Sequence, residues 1–187
     1  VLNAYRELWE RLGGLAGVEA VGAITSLPLG GQFAWGPITV EGRVPPPGEH
    51  FINADIRYAA GRYFEAMQIP LIRGRYFTDQ DNADAERVVI VDEFMANELW
   101  PGVDPIGKRM RFGDLKSEDP WRTVVGGVGR VKQYGLEADG RIVVYGPHLQ
   151  GPVRALYISV RSSSDLNALG AAVRSQIREL DPNLPVY

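Results

Sequence analysis

Gly102-Val103-Asp104-Pro105-Ile106-Gly107-Lys108-Arg109 meets the phosphate-loop pattern G-x-x-x-x-G-K-[ST] at every position but the last. That last hydroxyl is the magnesium ligand, and the loop has to leave a buried strand and open a helix aimed at the phosphates. Here an Arg replaces the hydroxyl, a helical pattern ends just before the run, and Lys108 to Phe112 alternates as a strand does. Nucleotide binding is not expected. Asp79-Gln80-Asp81-Asn82-Ala83-Asp84 opens like a calcium loop, but Ala83 stands at a ligand position and Asp84 where a turning glycine is needed. The expected role is a solvated acidic loop. Gly126-Gly127-Val128-Gly129 has Lys132 at the third position of a dinucleotide fingerprint and no helical pattern behind it. These glycines should mark a bulge or a close backbone approach within a strand.

The inventory for catalysis is short. His50 and His148 are the only histidines and form no H-E-x-x-H pair, and no G-x-S-x-G elbow is present. The absence of cysteine removes thiolate chemistry, thiolate metal sites and disulfides together. Carboxylates are numerous, which leaves a hydrolase built on acidic residues open. Leu29-Gly30-Gly31-Gln32 is similar to part of the signature loop of ABC ATPases, yet Phe33-Ala34-Trp35-Gly36-Pro37 cannot continue as the helix that loop requires. A glycine-rich loop between strands is expected instead. No catalytic, cofactor-binding or metal-ligating residue is assigned.

Twenty basic and 23 acidic residues are mixed along the 187-residue chain, and its net charge of -3 offers no basic stripe to a phosphate backbone. Nucleic acid is not an expected partner. With 45% hydrophobic and 23% charged residues the chain has the composition of an ordinary packed domain. No apolar stretch approaches the roughly 18 to 20 residues that span a bilayer. The first residue is Val, and the last lies soon after a strong helical pattern, so a segment of a longer protein is expected.

The elements that would carry these residues follow from periodicity. Val1, Leu2, Tyr5, Leu8, Trp9 and Leu12 recur at helical spacing up to a left-handed stop at Gly13-Gly14. Strands are expected at Val18 to Thr25, Ile38 to Glu41, Phe51 to Tyr58, Val88 to Val91, Lys108 to Phe112, Trp121 to Val131, Ile142 to Tyr145 and Leu156 to Arg161. Within Phe51 to Tyr58 the apolar set Ile52, Ala54, Ile56 and Tyr58 should be the buried face. A short helix should run from Tyr63 to Met67 and stop before Pro70. A second, capped by Asp92, should end at Trp100-Pro101-Gly102, and a long last helix capped by Ser164 or Asp165 should line up Leu166, Leu169, Val173, Ile177 and Leu180. Helices and strands interleave without a βαβ repeat, which predicts an α+β fold with mixed sheets and the terminal helices packed on one of them. Two lobes are expected: lobe A from residues 1–60 plus 143–187, and an inserted lobe B from residues 61–142.

Five ordered blocks carry a family resemblance. They are Arg57 to Phe77, with its Tyr63-Phe64 helix and Gly74-Arg75-Tyr76-Phe77 turn; Val88 to Glu93; Ala96 to Gly102; Asp104-Pro105-Ile106-Gly107-Lys108; and Thr123 to Val128. In this order they resemble MacB-type periplasmic core domains of ABC transporter permeases, above all the acidobacterial duplicated orphan permeases. Gly127 and Arg130 depart from that pattern, where a Val and an acidic residue are more usual. The resemblance implies a domain on the periplasmic or extracellular face of the cytoplasmic membrane, joined to the bilayer only through helices that flank it. It implies coupling of ATP-driven helix motion to substrate or partner handling, with no chemistry of its own. The partners implied are the rest of the permease, an ABC ATPase domain, and a second copy or a periplasmic partner protein. Tyr63, Phe64, Gly74, Arg75, Phe77, Pro105 and Gly107 are the family-motif residues, with structural roles expected. A free-standing module for a peptide or small ligand, with loops at Gly30 to Pro37 and Pro45 to Gly48, is the alternative of a different class.

Overall fold

The computed structural model describes residues 2–182 except 32, 136–140, 152 and 154. Val1, Gln32 and residues 183–187, used in the sequence reading, lie outside the described residues. The elements in chain order are α1 (Leu2–Gly13), β1 (Val18–Ile24), β2 (Trp35–Val40), β3 (Ile52–Gly61), α2 (Tyr63–Ala66), β4 (Leu71–Gly74), β5 (Val88–Asp92), α3 (Glu93–Leu99), β6 (Arg109–Phe112), β7 (Arg122–Val128), β8 (Val143–Pro147), β9 (Tyr157–Ser162) and α4 (Leu166–Leu180). This is an α+β fold.

The strands form one mixed sheet in the order β2-β6-β7-β5-β8-β3-β1-β9, and β2 also pairs with β3, so six of them close into a ring. Closure rests on the ten-residue length of β3. Its first half pairs with β2 from Ile52 to Asp55, its last three residues pair with β1, and its other edge runs parallel to β8. Side chains alternate across a strand, so one set from each ring strand points inward. Ile38, Val40, Ala54, Val89, Val91, Met110, Val124 and Val144 form that inner core, joined by Met95 of α3 and by Trp100 just beyond it.

On the outside, Ile90, Val128, Val143 and Tyr145 pack with Ile24, Ala59 and the α2 pair Tyr63 and Phe64. The terminal helices make a third cluster on β1, where Leu8 and Leu12 of α1 meet Val21 and Ile177 of α4. Asp165 caps α4 by accepting from the Asn167 and Ala168 amides, whereas the Ser164 hydroxyl bonds the Ala16 carbonyl.

Four expectations are corrected. The left-handed glycine after α1 is Gly17, at φ 78°, and Gly13 is the helix's last residue. Gly36 and Pro37, expected in a loop, belong to β2. The Pro37 carbonyl accepts from the Gly113 amide, and the Gly113 carbonyl, to which proline has no N–H to donate, accepts from the Thr39 hydroxyl instead. β4 is an additional strand, exposed along its whole length and held to β7 by main-chain pairing. Lastly, the polar face of β3 is buried over most of its length: Asp55 and Arg57 are 0% and 1% exposed. Asn53, at the start of the same face, stays exposed, but neighbours on both edges and loops over the outer face exclude bulk water from Asp55 and Arg57.

Candidate functional site

The family-motif residues fall into two groups, and β7 joins them. In the first, Tyr63 and Phe64 are buried at the start of α2. The Phe64 ring stacks on Tyr76 at 5.4 Å, meets Tyr145 edge-on at 5.1 Å and lies 6.1 Å from Phe77. These are core contacts, and burial with little compensation pushes the Tyr63 hydroxyl up to about 12.

Gly74 ends β4 at φ 67°, and a side chain there would collide with the Val125 carbonyl oxygen and come within 2.8 Å of Ile106 Cδ1. The next residue, Arg75, donates its amide to Val125 O at 3.0 Å. Its guanidinium holds both carboxylate oxygens of Asp81 at 2.7 Å. Burial by itself would raise Asp81, but the Arg75 bonds and the Thr78 amide outweigh it and lower the carboxyl below its ordinary value. Asp81, the third position of the calcium-loop lookalike, is thereby spent on Arg75. Among the described residues no group of three or more His, Cys, Asp or Glu could hold a metal ion.

In the second group Pro105 is buried and Gly107, at φ 82°, donates its amide to Val124 O at 2.8 Å. The phosphate-loop lookalike is therefore the turn from α3 into β6, and no helix begins at Lys108. Two turns distant in sequence thus bind adjacent carbonyls, at Val124 and Val125, of one strand. The Gly126 position is the close approach expected of it: a Cβ there would meet the Arg75 carbonyl oxygen, and the β5–β7 register shifts opposite it.

The histidines stand apart. His50 is exposed, whereas the His148 ring is buried, edge-on to Tyr5 at 4.9 Å, and burial lowers its basicity against a weaker opposing bond from Val153 O. Sequence reasoning passed over a buried polar group on the outer face of the ring: Asp55, Arg57 and Asp92, under Gln133 and Tyr134. Asp92 caps α3 as expected, accepting from Met95 N at 2.8 Å. It also accepts from Val143 N at 3.1 Å, and burial pushes its carboxyl up to about 6. Opposite charges two apart in an otherwise apolar strand were the available signal.

A ring of mixed strands, terminal helices seated together on its flank, and motif residues spent on turns describe a folded module with no assembled reaction centre among them. The chain belongs to the MacB-like periplasmic core domain family, whose model matches residues 4–176; such domains are the periplasmic parts of MacB-like ABC transporter permeases. Two curated relatives illustrate the match. A probable syringafactin export ATP-binding/permease protein of Pseudomonas syringae is 35% identical over 65 residues, 34% of this chain and 10% of its own length. A macrolide export ATP-binding/permease protein MacB of Marinobacter nauticus is 26% identical over 102 residues, 54% of this chain and 15% of its own length. The chain thus spans a small part of these relatives.

Solved structures agree on the fold. The periplasmic region of MacB from Actinobacillus actinomycetemcomitans superposes with a TM-score of 0.63 at 16% identity, covering 94% of this chain and 73% of that one. The extracellular domain of the noncanonic ABC-type transporter YknZ from Gram-positive bacteria gives 0.58 at 20% identity, covering 95% and 82%. Among the described residues no helix is long and apolar enough to cross a membrane.

Proposed function

We propose that this domain is a non-catalytic coupling element of an ABC transporter permease, passing ATP-driven motion of membrane helices to a substrate or a partner protein outside the cytoplasmic membrane. One observation carries the reading: α1 and α4, the two ends of the chain, share a single apolar seam against β1 through Leu8, Leu12, Val21 and Ile177. Motion entering at either end reaches the ring through the same contact, and a rigid element with two arrangements is what coupling requires. The partners in this reading are the rest of the permease, an ABC ATPase domain like those of the ATP-binding/permease relatives, and a second copy or a periplasmic protein. In the same reading, residues 1–60 plus 143–187 and residues 61–142 are two lobes that share the ring. Since the ring draws strands from both spans, relative movement is to be sought between the ring and the α1–α4 seam.

The test uses the full-length permease with spin labels at two exposed positions, Leu166 at the start of α4 and Leu115 in the β6–β7 loop. Distances between them should differ between the nucleotide-free and vanadate-trapped states. Identical distributions in both states would remove the coupling role, as would a gene with no membrane helix before Val1 or after Tyr187.

A second reading, a module for a small ligand, has one observation in its favour. A cavity of about 490 Å³ lies between α1 and the sheet, walled by Tyr5, Trp9, Phe77 and His148 over a floor of Ala59 and Ala60. That volume is within the range of small-molecule sites. Thermal-shift screening of the domain separates the two readings, since a coupling element needs no responding compound.

A further inference from the structure

Five buried polar atoms on the outer face of the ring have no hydrogen-bond partner within the protein: Asp55 Oδ2, Arg57 Nε and Nη2, Asp92 Oδ2 and Gln133 Oε1. Elsewhere among the described residues only Arg111 Nε is in the same position. The five share one neighbourhood. Asp55 stands beside Val143, and Arg57 beside Tyr145, in the β3–β8 register. Asp92 accepts from the Val143 amide, Tyr134 donates its hydroxyl to Asp55 Oδ1 at 2.6 Å, and Gln133 Nε2 donates to the Tyr145 hydroxyl at 3.5 Å.

Donor and acceptor counting identifies what belongs there. Nε and Nη2 form the side-on fork of the guanidinium, the edge that takes two oxygens at once. The remaining nitrogen, Nη1, donates to the Ser26 carbonyl. An anion on the fork would leave three acceptors unmet and add charge beside two carboxylates. A cation would leave the fork unmet. Water, which donates and accepts, serves both sides, and buried polar groups are commonly completed in this way. Charge counting adds one proton, because Arg57 is the one guanidinium buried with the two carboxylates, whereas Arg130, which also acts on Asp92, is exposed. Asp92 is the better holder: its Oδ1 already accepts two amides, which leaves Oδ2 to carry hydrogen.

We propose that this buried polar group holds an internal water site, in which ordered water bridges the Arg57 fork to Asp55 and Gln133 while a proton on Asp92 completes the set, and that it clamps two loops to the sheet. The loops are 25–31 and 129–135. Ser26 of the first is bonded to Arg57, its Leu29 amide donates to Gln133 O of the second at 2.8 Å, and Phe33 just beyond stacks on Tyr134 at 5.2 Å. The charged groups acting on Asp92 are Arg130 of the covering loop and Asp55 of β3; Tyr145 of β8 faces both Asp92 and the Arg57 guanidinium, and Tyr63 of α2 faces that guanidinium too. Burial and then Asp55 favour the proton, while the Met95 and Val143 amides and Arg130 oppose it. Above about pH 6 the group gains a buried negative charge, and the clamp weakens.

A crystal structure of the 187-residue chain at pH 5 tests the first half. An ordered water within about 3.2 Å of Arg57 Nε or Nη2 and of Asp55 Oδ2 or Gln133 Oε1 is expected. The absence of such a water, with Arg57 forked directly onto a carboxylate, overturns the water site. The proton is read by carbon-detected titration of the Asp92 carboxyl and by amide-exchange protection of Leu29. Protection in the wild type should fall about tenfold from pH 5 to 7.5, in line with about one pKa unit of linkage, and stay within about twofold in Asp92→Asn. Should that variant fail to fold, the wild-type titration decides alone: an Asp92 midpoint in the ordinary carboxylate range refutes the proton.

Discussion

Gly126 Cα faces the Arg75 carbonyl oxygen so closely that no side chain fits between them, while the Arg75 amide bonds the neighbouring Val125 carbonyl at 3.0 Å. Strand β7 and the turn after β4 are thereby locked main chain to main chain. Gly126→Ala should cost about 3 kcal/mol, since the obstructing atom is backbone and cannot rotate away. Gly107→Ala should cost only about 1 kcal/mol: its φ is positive, but nothing lies within 4 Å of a Cβ there. Urea unfolding of the two variants checks the contrast, and equal losses would contradict it.

The fork of Arg75 on Asp81 predicts that Lys is no substitute. Arg75→Lys keeps the charge but loses one of two charge-assisted bonds, for an expected loss of about 1 kcal/mol after allowing for the solvent that reaches the exposed guanidinium. Because the Asp81 carboxyl is lowered in the folded state, its contribution is present above the ordinary value of 3.8 and is lost as the pH falls below it. A double-mutant cycle with Asp81→Asn at pH 7 and again at pH 3 should show the coupling shrink at the lower pH.

Gln68 closes α2 with φ 55°, and the Ile69 amide reaches back to Phe64 O at 2.8 Å while its own amide reaches Glu65 O at 3.1 Å. This is a Schellman ending with glutamine where glycine is preferred. Gln68→Gly should therefore stabilise the domain by about 0.5–1 kcal/mol and raise Tm by about 1–3 °C. Calorimetry showing a lowered Tm would refute the account.

Two buried groups pull stability in opposite directions with pH. His148 has a depressed folded pKa, so its contribution is complete above 6.5 and declines as the pH falls through the folded value. Asp92 is raised from 3.8 to about 6, so its contribution is complete below 3.8 and is lost as the pH climbs to about 6. Removing the histidine as His148→Gln should make stability fall more steeply with rising pH across that interval. Denaturant midpoints at half-unit steps from pH 4 to 7 read the slope, and an unchanged slope would show that His148 titrates as it does in the unfolded chain.

Capped helices were the most legible part of the chain. The four β-branched residues of β5 followed by Asp92 announced a strand running straight into α3, and Leu169, Val173 and Ile177 announced the inner face of α4, although Leu166, expected on the same stripe, is exposed at the first turn. The motif turns could be read as turns because glycine marks them. What stayed hidden depends on partners distant in the chain. Leu71–Gly74 has no buried side chain, so its place on β7 is a main-chain matter that periodicity does not register. Ring closure depends on Trp35 to Ile38 meeting the first half of β3, a pairing that neither segment encodes alone. Alternation in β3 pointed to water on the side of Asp55 and Arg57, because polar residues are ordinarily exposed. Their actual surroundings come from residues some 30 and 80 positions away, Ser26 and Tyr134, which bond Arg57 and Asp55 respectively.

A cyclic arrangement of strands has no outermost member in its circuit, so neighbours cannot slip past each other without tearing bonds on the far side as well. Whatever pushes on the helical flank must shift that flank against the ring or turn the ring as one body. The ladder that joins β3 back to β2 thus gives the molecule the stiffness of a hoop, and load is delivered across it undiminished by internal shear.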